Sequence, residues 1–218
     1  MKYARDSRTS RSDEETAKLL FEALPWIKNL TGKTVVIKYG GAAMVDPHLR
    51  ADVMSDIVLL KIIGMKPVIV HGGGKDINAA LAHYDIPVRF KDGQRVTDEA
   101  TMEIVRQVLV GKVNEDLVAA INVHGNLAVG VSGSDAGTIV AERLDPELGR
   151  VGKISRINAD YLDSLMDSEY IPVVATVAQG EDGGFYNINA DVAAGHIAAA
   201  VHAHKVIFLT DVDGLYAG

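Results

Sequence analysis

The sequence of 218 residues predicts an α/β fold with a mainly parallel sheet. Three observations carry this. A β-branched run ends in a glycine loop and leads into a helical stretch, and this unit occurs twice before residue 85. Residues 34–39 and 67–71 are nearly continuous in aliphatic side chains, as in strands covered on both faces. Such alternation gives parallel strands joined by right-handed crossovers.

The elements follow in order. Ser12 and Glu15 read as a capping box, with Ser12 as N-cap and Glu15 reaching back to it. Residues 17–24 continue with helical spacing. Pro25 predicts a kink, because proline removes a donor and crowds the carbonyl four residues earlier. Trp26, Ile27 and Leu30 extend the apolar face up to Gly32. The strand at 34–39 runs into Gly40 and Gly41, and a helix over 49–63 is closed by Gly64. The strand at 67–71 runs into Gly72, Gly73 and Gly74, then a helix over 76–84. Residues 88–96 read as a hairpin turning at Asp92-Gly93. Thr97, Asp98 and Glu99 open a long helix toward His124, with a cap and two acids in its first turn. Residues 128–131 and 138–141 are short strands around a Ser/Gly/Asp loop, 151–157 is another strand, and 159–166 a short helix. Residues 171–177 read as one buried strand, and Asp182-Gly183 as a hairpin turn. Asn189 caps a helix from Ala190 to about His202. Residues 206–209 read as a last buried strand, leading into Thr210. No linker or repeat follows the Arg/Ser-rich residues 1–12, so the elements form one continuous unit.

Composition excludes several classes. With 48% hydrophobic and 23% charged residues, the chain is no disordered polymer. A net charge of −7 gives no overall reason to bind nucleic acid or an anionic membrane. The absence of cysteine excludes disulfides, thiolate catalysis and Cys-ligated zinc. No apolar run reaches the ~20 residues of a membrane span, and the polar start reads as no secretory signal. The expected location is the cytoplasm.

Two glycine loops carry the functional signal. Lys38 precedes Gly40 and Gly41, whose backbone N–H groups can approach an anion closely. The plain alternative is a turn with a lysine reaching solvent. Gly72, Gly73 and Gly74 precede a helix N-terminus, where anions are favoured. There the alternative is a flexible turn with His71 in the core. Both loops sit at the carboxyl ends of parallel strands and converge on one crevice, the place where open α/β sheets bind ligands. The dinucleotide fingerprint, the Walker motif, H-E-x-x-H and G-x-S-x-G are all absent. His202 and His204 are expected to be exposed rather than metal ligands. Arg95 offers a fork suited to a carboxylate, or it pairs with Asp92 or Asp98. Asn187 and Asp191 flank the cap Asn189. Residues 211–214 form a turn, or a loop facing ribose or phosphate.

Taken in order, Ile37 to Gly41, Val70 to Gly74, Arg95 to Thr97, Asn187 to Asp191 and Leu209 to Gly214 resemble the amino-acid-kinase family. The likeness runs from about Glu22 to the last residue. The stretch Gln94 to Asp98 and the Asn-x-Asn-Ala-Asp box point to members that phosphorylate N-acetyl-L-glutamate in arginine biosynthesis, rather than to aspartate, uridylate or carbamate kinases.

The resemblance implies a three-layer αβα sandwich. Residues 1–30 would be a tail and kinked helix, 31–178 the acetylglutamate-binding part, and 179–218 the start of the ATP-binding part. Lys38 matches the lysine that steadies the transition state, and Gly41 and Gly73 match donors to the transferring phosphoryl group. Gly73, Gly74, Arg95 and Asn187 match the acylamino-acid site, and Asp191 matches the carboxylate that holds the catalytic lysines. Asp211, Val212, Asp213, Gly214, Leu215 and Tyr216 match the start of the nucleotide loop. The donor would be ATP, with Mg²⁺ carried on its phosphates and no metal ligand in the chain. Arginine-inhibited members carry an N-terminal helix that links dimers into a hexameric ring, and Ser12 to Leu30 looks like such a helix, or packs on its own domain. The resemblance thus implies a homodimer, or a hexamer through that helix, with arginine as effector.

The chemistry agrees with this reading. A γ-carboxylate acceptor is ionised at neutral pH, its ordinary pKa being ~4.3, so no general base is required. The obstacle is repulsion between two anions, which Lys38, the glycine loops and the metal on ATP relieve. Asp191, at a helix N-terminus, is expected to stay ionised and orient Lys38. Family members continue past the Asp211 loop with a second catalytic lysine, in a Gly-Met-Ile-x-Lys stretch, that has no match here. The expectation is therefore a nearly complete acceptor site and a partial ATP site. The alternatives are a non-catalytic acetylglutamate-binding fragment and another enzyme of the fold, such as a glutamate 5-kinase.

Overall fold

The computed structural model describes residues 12–44 and 46–210. In chain order the elements are helix α1 (Asp13–Leu30), strand β1 (Thr34–Tyr39), α2 (Pro47–Ile62), β2 (Lys66–His71), α3 (Gly74–His83), the short strands β3 (Phe90–Lys91) and β4 (Gln94–Arg95), and α4 (Glu99–Arg106). A π-helical segment (Gln107–Asn114) then joins α4 to α5 (Glu115–Asn122). There follow β5 (Ala128–Ser132), β6 (Ile139–Arg143), β7 (Gly152–Ile157), α6 (Ala159–Asp167), β8 (Ile171–Ala175), β9 (Val177–Gly180), β10 (Phe185–Asn187), α7 (Ala190–Ala200) and β11 (Lys205–Phe208).

The central sheet has the order β11-β1-β2-β8-β5, with every neighbouring pair parallel. Both faces of β1 and β2 are covered, which is why these strands read as unbroken apolar runs. Val35, Ile37, Ile69 and Val173 pack in one core with Met54 and Ile57 of α2, Leu81 of α3, Val105 of α4 and Leu117 of α5. Val36, Val68, Val70 and Val174 point the other way, into a second core with Leu162 of α6 and Ala194 and Ile197 of α7. The result is the expected three-layer α/β sandwich. A second sheet, ordered β10-β9-β6-β7, adds Ile139, Ala141, Ile154 and Tyr186 to the second core.

Local chemistry sets the element ends. The capping box forms as expected: the Ser12 hydroxyl accepts from the Glu15 N–H at 3.2 Å, and the Glu15 carboxylate accepts from the Ser12 N–H at 2.8 Å. Pro25 lies inside α1 without ending it. The hairpin turns at Asp92 and Gly93, whose φ values of 50° and 75° are both positive, as a two-residue turn of this hand requires.

Four expectations are corrected. Helix α2 starts at Pro47 rather than residue 49, because Asp46 accepts from the His48 and Leu49 N–H groups and proline at the first position forfeits no bond. The long helix is capped by Asp98, which accepts from the Thr101 N–H at 2.8 Å. That leaves Glu99 as the one acid of its first turn, while Thr97 is buried outside the helix. The run 171–177 is two strands, since the chain leaves the central sheet at Thr176 to enter the second sheet as β9. Finally, β11 is an exposed edge strand rather than a buried one, pairing only with β1 among the described residues.

Candidate active site

The carboxyl ends of β1 and β2 open into a cavity of about 340 Å³. Lys38, Gly41, Gly73, Gly74, Arg95, Asn187 and Asp191, singled out from the sequence across some 150 residues, all line it. The other six, Asp211, Val212, Asp213, Gly214, Leu215 and Tyr216, lie outside the described residues.

Lys38 is the next-to-last residue of β1, and its ammonium lies 3.1 Å from the Asp191 carboxylate in the first turn of α7. The lysine folds back over Gly40: a methyl group there would come within 2.6 Å of the Lys38 Nζ. Gly41 has φ of 64°, a left-handed conformation that glycine adopts without strain. Asn189 caps α7 by accepting from the Asp191 and Val192 N–H groups, which fixes the turn that presents Asp191.

At the end of β2, Gly73 occupies the N-cap of α3 and offers no side-chain cap, so the first N–H groups of the helix stay available to a ligand. The loop is also tightly confined, since a methyl group on Gly73 would lie 2.7 Å from Leu109 and 3.2 Å from Val113 in the π-helical segment.

Arg95 comes from the hairpin strand β4. Its Nη2 donates to the Gly74 carbonyl at 3.2 Å, and the guanidinium stacks over Phe90 at 5.0 Å. It pairs with neither Asp92 nor Asp98, and Asp98 instead caps α4 and faces Arg89. The Arg95 Nη1 is buried with no hydrogen-bond partner. Burial pushes the guanidinium below its ordinary value, a cost that an anionic partner would offset. Asp191 is the one carboxylate among the cavity-lining described residues, so the chamber as a whole is arranged for an anion.

Asn187 is held by a residue missed in the sequence. Its Nδ2 donates to the Thr97 hydroxyl at 3.2 Å, and that hydroxyl donates to the Arg95 carbonyl at 2.9 Å. Thr97 therefore links the Asn187 side chain to the Arg95 backbone. A polar residue next to Arg95 was the available signal, but its partner lies 90 residues away. Thr176, Phe90 and Leu109 also line the cavity and were not anticipated.

His202 and His204 are exposed as expected. Among the described residues no group of three or more His, Asp or Glu side chains could hold a metal ion, and no helix is long and apolar enough to cross a membrane.

Comparison with known proteins points to one family. The model of the amino acid kinase family matches residues 33–218. The acetylglutamate kinase of Caldanaerobacter subterraneus subsp. tengcongensis is 53% identical over 201 residues, which make up 91% of this chain and 67% of that protein. The crystal structure of smu.665 from Streptococcus mutans UA159 is 30% identical, with a TM-score of 0.75, covering 82% of this chain and 73% of that one. An N-acetylglutamate synthase from Neisseria gonorrhoeae, complexed with coenzyme A and N-acetyl-glutamate, shares the fold at a TM-score of 0.79 and 23% identity, over 91% of this chain and 46% of that one.

Proposed function

The chain belongs to the amino acid kinase family, and from that premise we propose that it transfers the γ-phosphoryl group of ATP to the γ-carboxylate of N-acetyl-L-glutamate. The products are N-acetylglutamyl 5-phosphate and ADP, a step of arginine biosynthesis. One observation carries the reading: a buried Arg95 with an unpartnered Nη1 and a lysine held by a single carboxylate face one cavity floored by two glycine loops. The relatives named acetylglutamate kinase support it.

Each residue then has a task. Arg95 and Asn187, with the Gly73–Gly74 backbone, hold the acylamino acid, the guanidinium gripping its free carboxylate. The γ-carboxylate attacks the γ-phosphorus as the bond to the departing ADP oxygen breaks. The nucleophile is already ionised, so no proton has to be removed. Lys38 and the N–H groups of Gly41 and Gly73 stabilise charge on the transferring oxygens, where preorganised donors are most effective. Asp191 holds Lys38 in place. Mg²⁺ arrives on the phosphates of ATP as part of the substrate. Acceptor binding belongs to residues 31–178, completed by Asn187. Nucleotide binding begins within 179–218, with Asp211, Val212, Asp213, Gly214, Leu215 and Tyr216 as the start of its loop.

The enzyme is further proposed to be a cytoplasmic homodimer, extended to a hexamer through α1, with arginine as effector. The exposed Leu20, Phe21 and Trp26 of α1 support the helix-mediated contact.

Calorimetry with acetylglutamate and, separately, with a non-hydrolysable ATP analogue, followed by an ADP-release assay, tests the activity. Binding of both and ADP release that depends on acetylglutamate are expected. Preference for free glutamate would favour a glutamate 5-kinase, and acetylglutamate binding without nucleotide binding would leave a non-catalytic binding unit.

A further inference from the structure

The phosphoryl-transfer scheme leaves unused a fully buried histidine at the end of β2. His71 is 0% exposed, and both of its ring nitrogens are engaged. Nδ1 lies 3.0 Å from the Gly72 carbonyl oxygen, which can only accept, so Nδ1 carries the proton. Nε2 then presents a lone pair, and the Asn114 Nδ2 donates to it at 2.9 Å. The same amide nitrogen donates to the Val173 carbonyl of β8 at 2.7 Å, anchoring Asn114 to the central sheet. The Thr176 hydroxyl donates to the His71 carbonyl at 3.2 Å, so the backbone is held as firmly as the ring.

We propose that His71 is a positioning residue: its Nδ1–H holds the Gly72 carbonyl inward, and Asn114 steadies the ring, so that the Gly73 N–H is turned toward the cavity. In a trans peptide the carbonyl of one residue and the N–H of the next point to opposite sides, and the described chain has no cis peptide. With the Gly72 oxygen drawn to the ring, the Gly73 N–H projects the other way. It finds no acceptor among the described residues. A free loop of three glycines would flip this peptide readily, because nothing restricts its φ and ψ. The bond from His71 removes that freedom before any ligand arrives.

The π-helical segment makes the arrangement possible. Residues five apart on an α-helix lie ~140° apart around its axis. A π-helix closes its bonds over five residues, which brings Leu109 and Asn114 to the same side. Leu109 can then wall the Gly73 loop while Asn114 reaches the ring behind it. Burial pushes His71 down to about 4, so near neutral pH the ring stays neutral and keeps one donor and one acceptor.

The proposal rests on the acetylglutamate reading only for the ligand that the loop serves. Nitrogen-15 NMR of the histidine rings in the whole chain is expected to show His71 protonated on Nδ1 and bare on Nε2. Three variants separate the bonds. His71→Leu removes both, His71→Gln reaches toward Asn114 but not Gly72, and His71→Asn keeps an amide donor near the Nδ1 position. Acetylglutamate affinity measured by calorimetry is expected to fall about tenfold or more in the Leu and Gln variants, the scale of one misplaced donor, and to be largely restored in His71→Asn. The Gly73 amide resonance should move in the same order. An Nε2-protonated ring, or a His71→Leu chain that melts earlier yet keeps the wild-type affinity and Gly73 resonance, would overturn the proposal. If the wild type itself binds no acetylglutamate, the substrate reading fails, while the ring tautomer and the Gly73 resonance still decide the role of His71. They also decide it if the Leu and Gln variants do not fold.

Discussion

The Lys38 ammonium and the Asp191 carboxylate, 3.1 Å apart, tie the end of β1 to the first turn of α7 across the mouth of the cavity. The lysine side chain is 14% exposed and the aspartate 58%. A pair with so wet a partner adds little to stability, about 1 kcal/mol at most. Its value is aim. Lys38→Ala is expected to lower turnover by about 10²-fold or more, the scale of losing one preorganised stabilising group. Asp191→Asn should lose part of that while melting within a few degrees of wild type. An ADP-release assay beside a thermal melt checks both, and near-normal turnover in Lys38→Ala would remove the lysine from the mechanism.

Gly40→Ala probes the same lysine without deleting it. The added methyl crowds the flexible end of Lys38 and meets the Leu209 carbonyl at an ordinary contact distance of 3.6 Å, so the chain should fold normally and displace the ammonium from Asp191. Turnover is expected to drop roughly tenfold, a loss of about 1.4 kcal/mol. Unchanged turnover would mean that the lysine has more than one productive placement.

Arg95→Lys removes the planar fork but keeps the charge. Hydrogen bonds to charged groups contribute ~1.5–3 kcal/mol, so acetylglutamate should bind at least tenfold more weakly, with less effect on the nucleotide. Calorimetry reads this directly, and an unaltered dissociation constant would exclude Arg95 from the carboxylate site.

His71 predicts an acid weakness. Its folded pKa of about 4 lies below the ordinary 6.5, chiefly through burial, which the bond to the Gly72 carbonyl only partly offsets. The unfolded chain therefore takes up the proton first as pH falls. The stabilisation is complete above about 6.5 and is lost progressively down to about 4, a total of about 3 kcal/mol. Urea unfolding at pH 7.5 and pH 5 should show a steeper loss in the wild type than in His71→Asn, by about 2 kcal/mol at the lower pH. Equal slopes would show that His71 does not titrate as its burial implies.

Phe21 and Trp26 are 71% and 70% exposed on α1, a helix with no buried residue. Apolar side chains clustered on one exposed helix mark a contact surface. Replacing Leu20, Phe21 and Trp26 by serine should lower the mass seen by light scattering without changing the melt of the core. An unchanged mass would sink the helix-mediated ring.

Strands β1 and β2 were legible because both faces of each are covered, leaving no polar residue to interrupt the run until Lys38 and His71. The cavity residues were legible because glycine, lysine and arginine at strand ends have few plain structural duties. The break at Thr176 was not, since the side chains on either side of it are equally apolar and only the sheet they join differs. The π-helical segment from Gln107 to Asn114 carries no local signature, and its register is tied to what Asn114 bonds on β2 and β8. Thr97 escaped for the same reason: beyond Arg95, its partners are Leu148, Arg150 and Asn187, far along the chain.

The glycines at 40 and 73 have a consequence for how this cavity can vary. Where a site is built from side chains, a mutation usually subtracts a function by taking atoms away. At the glycine loops the proposed donors are main-chain groups that no substitution short of proline deletes, and other replacements at 40 and 73 add atoms instead, against Lys38 at one and against Leu109 and Val113 at the other. Variation at these two glycines therefore fails by crowding rather than by loss, and a disabled variant should be recoverable by trimming the neighbour. Leu109→Ala beside Gly73→Ala is the pair in which such recovery would be seen.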